Sequence, residues 1–195
     1  MKKTKLTLII FYFLSLLIIG CDGEVYTPKP KGYFRIDLPE KEYHLLDNNC
    51  PFTFEIPNYA KIVPNSNNPD KPCWFNIEYP TLNASIYLSY KPVNDTSLAT
   101  YLEDSRTLAF KHTIKAIDIE QKQLYFPNKK VYGLVYEIQG NAASSYQFHL
   151  TDSTHHFIRG SLYFNNIPNH DSIQPVFDFV KKDIEHLYST FVWKE

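Results

Sequence analysis

Alternation of apolar and polar residues predicts a chain built mainly from short β-strands. In the clearest case Phe52, Phe54 and Ile56 alternate with two polar residues, as in a strand with one buried face. Similar runs predict a hairpin around residues 80–83 and three later strands joined by short turns, which implies antiparallel pairing. These predicted strands cover residues 73–79, 84–90, 130–139, 145–151 and 155–164.

Apolar residues at helical spacing predict two helices. The first follows the N-cap candidates Asp95, Thr96 and Ser97. Its expected buried face is Leu98, Tyr101, Leu102, Ser105, Leu108 and Ala109. The second is expected to be capped by Asp171, with Pro175 tolerated in its first turn. Its apolar stripe is Ile173, Val176, Phe177, Val180, Ile184, Leu187, Tyr188 and Phe191, and its predicted solvent face is Lys181, Lys182, Asp183 and Glu185.

This order of elements predicts an α+β fold, an antiparallel β-sheet packed with two main helices. The arrangement also resembles the Mog1/PsbP-like sandwich. No second linker, repeat or low-complexity tract follows Gly32, so residues 32–195 are predicted to form a single domain.

The first 20 residues predict a secretory signal. Lys2, Lys3 and Lys5 precede an apolar run over residues 6–19, which is shorter than the roughly 20 residues that a membrane-spanning helix needs. The following Leu17-Ile18-Ile19-Gly20-Cys21 resembles the lipobox of bacterial lipoproteins. That resemblance implies cleavage before Cys21 and a membrane anchor of acyl chains such as palmitate on this residue. The alternative is a plain secretory signal with an incidental cysteine.

The residues after the anchor do not decide which membrane holds it. Residues 21–31 comprise the lipidated cysteine and a short tether, which Pro28 and Pro30 keep extended. Asp22 resembles the inner-membrane retention signal of enterobacteria, whereas Asp22 with Glu24 resembles a surface-export signal of Bacteroidota. The expected location is extracytoplasmic: the periplasmic face of the inner or outer membrane, or the cell surface.

Charge and cysteine content narrow the classes of function. Three of the 20 basic residues lie in the signal, which leaves 17 against 21 acidic residues and a net charge of −4. An acidic body argues against nucleic acid or an anionic lipid face as partner. Cys50 and Cys73 form an even pair in an oxidising compartment and are predicted to form a disulfide, with two reduced thiols as the alternative. Their spacing predicts no metal site.

The candidate chemistry is sparse. Asp152, Ser153, His155 and His156 crowd together, but neighbouring strand residues point to opposite faces, so the run favours a β-turn over a catalytic triad. No nucleophile elbow, P-loop, zinc-protease or dinucleotide pattern appears, so we predict no catalytic residue and no cofactor and do not expect an enzyme.

One residue within a predicted strand needs explanation. Arg159 carries a charge in mid-strand, which must meet a carboxylate in a groove or face water. Together with Asp152, His155 and His156 it is a candidate groove or interaction residue.

Several segments, in order, resemble the GldD family of gliding motility lipoproteins from Bacteroidota. They are residues 30–39 (PKGYFRIDLP), 50–52 (CPF), 73–77 (CWFNI), 88–93 (LSYKPV), 103–106 (EDSR), 111–115 (KHTIK), 151–157 (TDSTHHF) with 159–160 (RG), and 168–172 (PNHDS). The resemblance covers essentially the whole mature chain.

The resemblance implies a role in gliding motility and the linked type IX secretion machinery, with other envelope proteins of these systems as partners. A non-catalytic scaffold or assembly factor is the expected activity, with residues 65–72 and the edge strands as contact surfaces. Two alternatives stay open. One is a small-molecule or glycan-binding lipoprotein that uses its abundant aromatic residues. The other is an envelope hydrolase built around Ser153.

Overall fold

A computed structural model describes residues 32–33, 35–94, 96–166 and 168–194. Arg35–Glu195 form one compact unit, and the description below concerns that unit. Among the described residues, none of the helices has the length and apolar character needed to cross a membrane.

A seven-stranded antiparallel sheet forms the centre of the unit. The strand order is β4-β5-β6-β10-β9-β8-β7, so β4 and β7 are its edges. The strands are β4 (Lys61–Pro64), β5 (Trp74–Tyr79), β6 (Ala84–Pro92), β7 (Ala116–Phe126), β8 (Val131–Gly140), β9 (Tyr146–Thr151) and β10 (His156–Phe164). The predicted hairpin is confirmed as β5–β6, joined by a short 3₁₀ turn at Pro80–Leu82 with Asn83 in the left-handed region.

Two small strand pairs lie outside the main sheet. β1 (Tyr43–Leu45) pairs with β3 (Glu55–Pro57), and β2 (Phe52–Thr53) pairs with the C-terminal β11 (Val192–Trp193). The alternating segment predicted as one strand is therefore divided between two partners. Its apolar side chains, Phe52, Phe54 and Ile56, are all buried, as the alternation predicts.

One helix covers each face of the main sheet. α1 (Ser97–Phe110) packs on the face that carries His149 of β9, while α2 (His170–Thr190) packs on the face that carries Tyr146, Phe148 and Leu150. The larger core lies under α2, and a smaller cluster of Ala109, Tyr136, Ile138 and Ala142 lies under α1. The α+β prediction with two main helices is confirmed.

The first helix starts among the predicted cap residues, whereas the second starts two residues earlier than its predicted cap implies. At α1 the N-cap is Thr96, one of the predicted candidates, although its side chain makes no capping hydrogen bond. Instead, Asn94 Oδ1 accepts hydrogen bonds from the backbone N–H groups of Thr96 and Ser97. At α2 the N-cap is Asn169, so Asp171 lies in the first turn and Pro175 falls in the second. The Asp171 prediction was wrong because neighbouring residues share the chemistry of a cap, and backbone geometry selects among them.

Asp183 was predicted on the solvent face of α2, and this is wrong. The residue is only 2% exposed. Its carboxylate accepts hydrogen bonds from Lys41 Nζ at 2.5 Å, Tyr43 OH at 2.8 Å and Tyr59 OH at 2.7 Å. The start of β1, the residue Lys41 just before it and the turn after β3 supply these donors. An acid can therefore be buried where the helix alone predicts a solvated position.

Candidate functional site

The segments singled out in the sequence meet at one end of the main sheet. β5 begins there, β6 and β9 end there, and β10 begins there. At this end a disulfide joins Cys50 to Cys73, which are 23 positions apart in the sequence. We call this region the disulfide end of the sheet.

An open cavity at the disulfide end is framed by aromatic and basic side chains. It has a volume of about 480 Å³ and is lined by Lys71, Pro72, Cys73, Trp74, Tyr90, Lys91, Pro92 and Tyr101. Trp74 is held in place because its indole Nε1 donates to the Tyr90 carbonyl at 2.5 Å. Lys71 Nζ lies 4.1 Å above the Trp74 ring, and Lys91 Nζ lies 4.4 Å above the Tyr101 ring. We call it the aromatic cavity.

A second opening continues from the aromatic cavity along α1. It shares Trp74, Lys91 and Tyr101 with that cavity and has a volume of about 400 Å³. Its lining is Trp74, Ser89, Lys91, Tyr101, Asp104, Ser105, Thr107, Leu108, Lys111, Phe157 and Arg159. Three of these residues are basic and only Asp104 is acidic, so we call the opening the cationic groove.

Arg159 lies in the floor of the cationic groove and matches neither predicted alternative. Its Nη2 donates to Gln147 Oε1 at 2.5 Å, and its Nε is buried with no hydrogen-bond partner among the described residues. No carboxylate in the described part of the chain forms an ion pair with it. Burial lowers the pKa of the guanidinium from its ordinary value, although such a group keeps its charge at neutral pH.

Two histidines close to Arg159 are kept neutral. Burial, with Arg159 as the second cause, lowers the pKa of His149 to about 4 and also lowers that of His112. His149 Nδ1 lies 3.2 Å from the hydroxyl of Ser105 on α1, which fixes the helix against the sheet. The positive charge in the floor of the groove at pH 7 therefore resides on Arg159.

Asp152 organises the β9–β10 turn. Its Oδ1 accepts hydrogen bonds from the backbone N–H groups of Thr154, His155 and His156. Burial acts to raise the pKa of this carboxyl, but these hydrogen bonds outweigh it and bring the pKa to about 2. Ser153 has φ of 70° and occupies the left-handed position of the turn. The predicted turn is confirmed, and the carboxylate is occupied by backbone donors.

The four candidate residues do not form one site. His155 is exposed at the turn, with Nδ1 3.7 Å from Asp152 Oδ2. His156 stacks on Trp193 with ring centroids 5.0 Å apart, and its Nδ1 lies 2.9 Å from Tyr90 OH. His156 thus belongs to the α2 side of the sheet, whereas Arg159 faces α1. Within the described residues, no group of three or more His, Cys, Asp or Glu side chains is placed to bind a metal ion.

Residues that sequence reasoning missed are Trp74, Lys91 and Tyr101, which link the two openings. Trp74 and Lys91 lie in segments that carry the family resemblance, and that was the available signal. Tyr101 was assigned to the buried face of α1 but is half-buried, between Lys91 and Phe157. The predicted signal, the acylated Cys21 and the tether lie outside the described residues.

The family comparison is decisive for the broad assignment. Residues 23–193 match the family described as gliding motility lipoprotein GldD. The chain belongs to this family. It is therefore a lipid-anchored envelope protein with a role in gliding motility, and the family resemblance seen in the sequence is confirmed.

None of the curated proteins matches the sequence. Among solved structures, the chain is similar to the solution structure of PsbP (CyanoP) from Synechocystis sp. PCC 6803. The two share 12% identity with a TM-score of 0.46, over 90% of this chain and 99% of that chain.

Proposed function

We propose that this lipoprotein is a non-catalytic scaffold or assembly factor of the gliding machinery and the linked type IX secretion machinery of Bacteroidota. The observation that carries the proposal is the family match over residues 23–193. In this proposal acylated Cys21 holds the domain on the extracytoplasmic side of the envelope, and the disulfide end of the sheet docks another envelope protein.

The geometry of the disulfide end supports docking. The aromatic cavity and the cationic groove are open and continuous. The disulfide ties the end of the loop that supplies Lys71 and Pro72 to the segment at Cys50. Protein interfaces favour aromatic and Arg anchors of this kind. The run of Ser, His and Asp residues in the β9–β10 turn supports a non-catalytic role, because the Asp152 carboxylate accepts hydrogen bonds from the backbone of its own turn.

The genetic test is a deletion strain complemented with wild type or with Cys21→Ala. We expect the deletion to lose both colony spreading and proteins secreted into the culture supernatant, with both restored by wild type alone. Normal spreading and secretion in the deletion strain would contradict the proposal. Loss of spreading with intact secretion would restrict the role to motility.

The docking surface is tested by co-purification of cross-linked envelope proteins. Substitution of Lys71 and Pro72, in the loop over residues 65–72, is expected to remove specific partners. The matched control is Lys182→Ala, an exposed lysine on α2, on the other side of the sheet. An unchanged set of partners after the loop substitutions would contradict docking at this end.

Binding of a small molecule is the second candidate, and the aromatic cavity is the observation that favours it. A glycan stacks on open aromatic faces, yet here Lys71 covers Trp74, and Tyr101 lies between Lys91 and Phe157. This arrangement favours a partner that carries negative charge. Retention of the wild-type protein, but not Trp74→Ala, on immobilised envelope glycan would favour the second candidate.

A further inference from the structure

Among the described residues, Arg159 is a largely buried cation with no acidic partner. Only Nη2 is engaged by the protein, through the neutral amide of Gln147, while Nε is buried and unpartnered among the described residues. Two neighbours on the same face, Gln147 Nε2 and Ser161 Oγ, are also buried without a described partner. Clustered unsatisfied polar groups of this kind call for water or a ligand.

The surroundings of Arg159 favour a negatively charged ligand. Lys91 and Lys111 line the same groove, and its one carboxylate, Asp104, lies 4.0 Å from Lys91 and is exposed. The groove therefore has a local charge of +2 on a mature chain whose net charge is −4. A negatively charged ligand is therefore attracted to the groove, whereas the rest of the protein surface repels it.

The neighbouring aromatic cavity indicates which chemical groups lie next to the negative charge of the ligand. Trp74 and Tyr101 line both openings, so a ligand that fills the groove beside Arg159 can also contact these rings. A guanidinium matches the planar geometry of a carboxylate, which Asp and Glu side chains provide. An amino-acid chain can place an apolar side chain next to such a carboxylate.

We propose that the cationic groove binds a segment of a partner protein in which an Asp or Glu is flanked by aromatic or large aliphatic residues. The carboxylate pairs with Arg159, and a flanking side chain packs against Trp74 and Tyr101. This inference rests on the proposed docking function and adds the chemistry of the partner. A membrane surface is disfavoured because the site is concave and the whole chain is acidic.

The arginine content of the chain makes a direct test feasible. The three arginines are Arg35, Arg106 and Arg159. Arg35 Nε donates to Asp37 Oδ1 at 3.0 Å, and Arg106 Nε donates to Glu103 Oε2 at 3.0 Å, so both serve as internal controls. With ¹⁵N-arginine in the full-length lipoprotein in detergent micelles, the Nε–H signals report on each site, and Arg159→Lys assigns its signal.

The probes are acetyl-Phe-Asp-Phe-amide, its Asn-containing counterpart, and inorganic phosphate. We expect the Asp peptide to shift the Arg159 signal saturably while the other two arginine signals stay in place. The Asn peptide should bind at least about tenfold more weakly, since it lacks the charge-assisted pair. No shift by the Asp peptide, equal binding of the Asn peptide, or an equal effect of phosphate would each overturn the inference.

Two variants separate this inference from the docking proposal. Arg159→Gln should weaken the Asp peptide about tenfold or more, whereas Arg106→Gln removes an equal charge outside the groove and should leave binding unchanged. If Arg159→Gln fails to fold, Arg159→Lys keeps the charge but loses the forked donors and should still weaken binding. Unaltered peptide binding by a folded Arg159 variant, together with partner loss in the Lys71 and Pro72 variants, would refute this inference and leave docking standing.

Discussion

The buried carboxylate of Asp183 is predicted to be a main determinant of stability. It joins α2 to Lys41 just before β1, to Tyr43 at the start of β1 and to Tyr59 after β3. Asp183→Asn keeps the shape of the side chain, removes its charge and turns one acceptor into a donor that faces other donors. Charged hydrogen bonds contribute roughly 1.5–3 kcal/mol each, and breaking a buried pair costs about 3–5 kcal/mol.

We expect Asp183→Asn to lower the free energy of unfolding by about 3 kcal/mol, at the lower end of that range. The reason is that the Lys41 side chain is 27% exposed and regains water when its partner is lost. Lys41→Met should then cost clearly less in the Asp183→Asn background than in the wild type, with a coupling of at least about 1 kcal/mol, because both changes break the same contact.

The assay is urea unfolding of the purified protein with the disulfide intact, followed by the fluorescence of Trp74 and Trp193. Lys182→Met, on the exposed side of the same helix, is the control and should change stability by less than about 0.5 kcal/mol. A cost below about 1 kcal/mol for Asp183→Asn, or strict additivity with Lys41→Met, would refute the reasoning.

Three further predictions concern the core and the site. Replacing both Cys50 and Cys73 with Ser should destabilise the protein by about 3 kcal/mol in urea unfolding, since the disulfide no longer restricts the unfolded chain over 23 residues; no change in midpoint would contradict this. Gly160→Ala should cost about 1–3 kcal/mol, because its Cβ would lie 2.3 Å from the buried ring of Phe148; a neutral effect would show that the ring moves freely. His149 should lower the free energy of unfolding by about 3 kcal/mol between pH 6.5 and 4, because its imidazole is protonated in the unfolded state but stays neutral when buried in the folded state. His149→Asn should flatten this part of the pH profile, and an unchanged slope would show that His149 is not its cause.

The sequence predicted the strands with one buried face well and the exposed edge strands β4 and β7 poorly. β8, β9 and β10 alternate or run apolar because each contributes to a core, and all three were predicted. β7, at the sheet edge, was missed because most of its side chains are exposed and carry no apolar alternation. Its pairing with β8 comes from backbone hydrogen bonds, which leave no hydrophobic pattern.

The candidate site was predictable only in part. Arg159 could be identified locally because a charge in mid-strand is unusual. The turn at Asp152 could be identified because Asp and Ser are typical turn residues. The separation of His156 from Arg159 depends on strand register and on β11, whose Trp193 stacks on His156 from the far end of the chain. The contact of Lys41 with Asp183 likewise spans 142 positions, which no local pattern encodes.

The most direct test of the central claim is colony spreading with the charge of the docking region reversed. Lys71→Glu with Lys91→Glu inverts the basic side chains of the aromatic cavity. Lys122→Glu with Lys182→Glu makes the same change in charge on the α2 side of the sheet. At equal protein levels in the deletion strain, the first pair should abolish spreading and the second should preserve it. Normal spreading with the first pair would contradict docking through this end of the sheet.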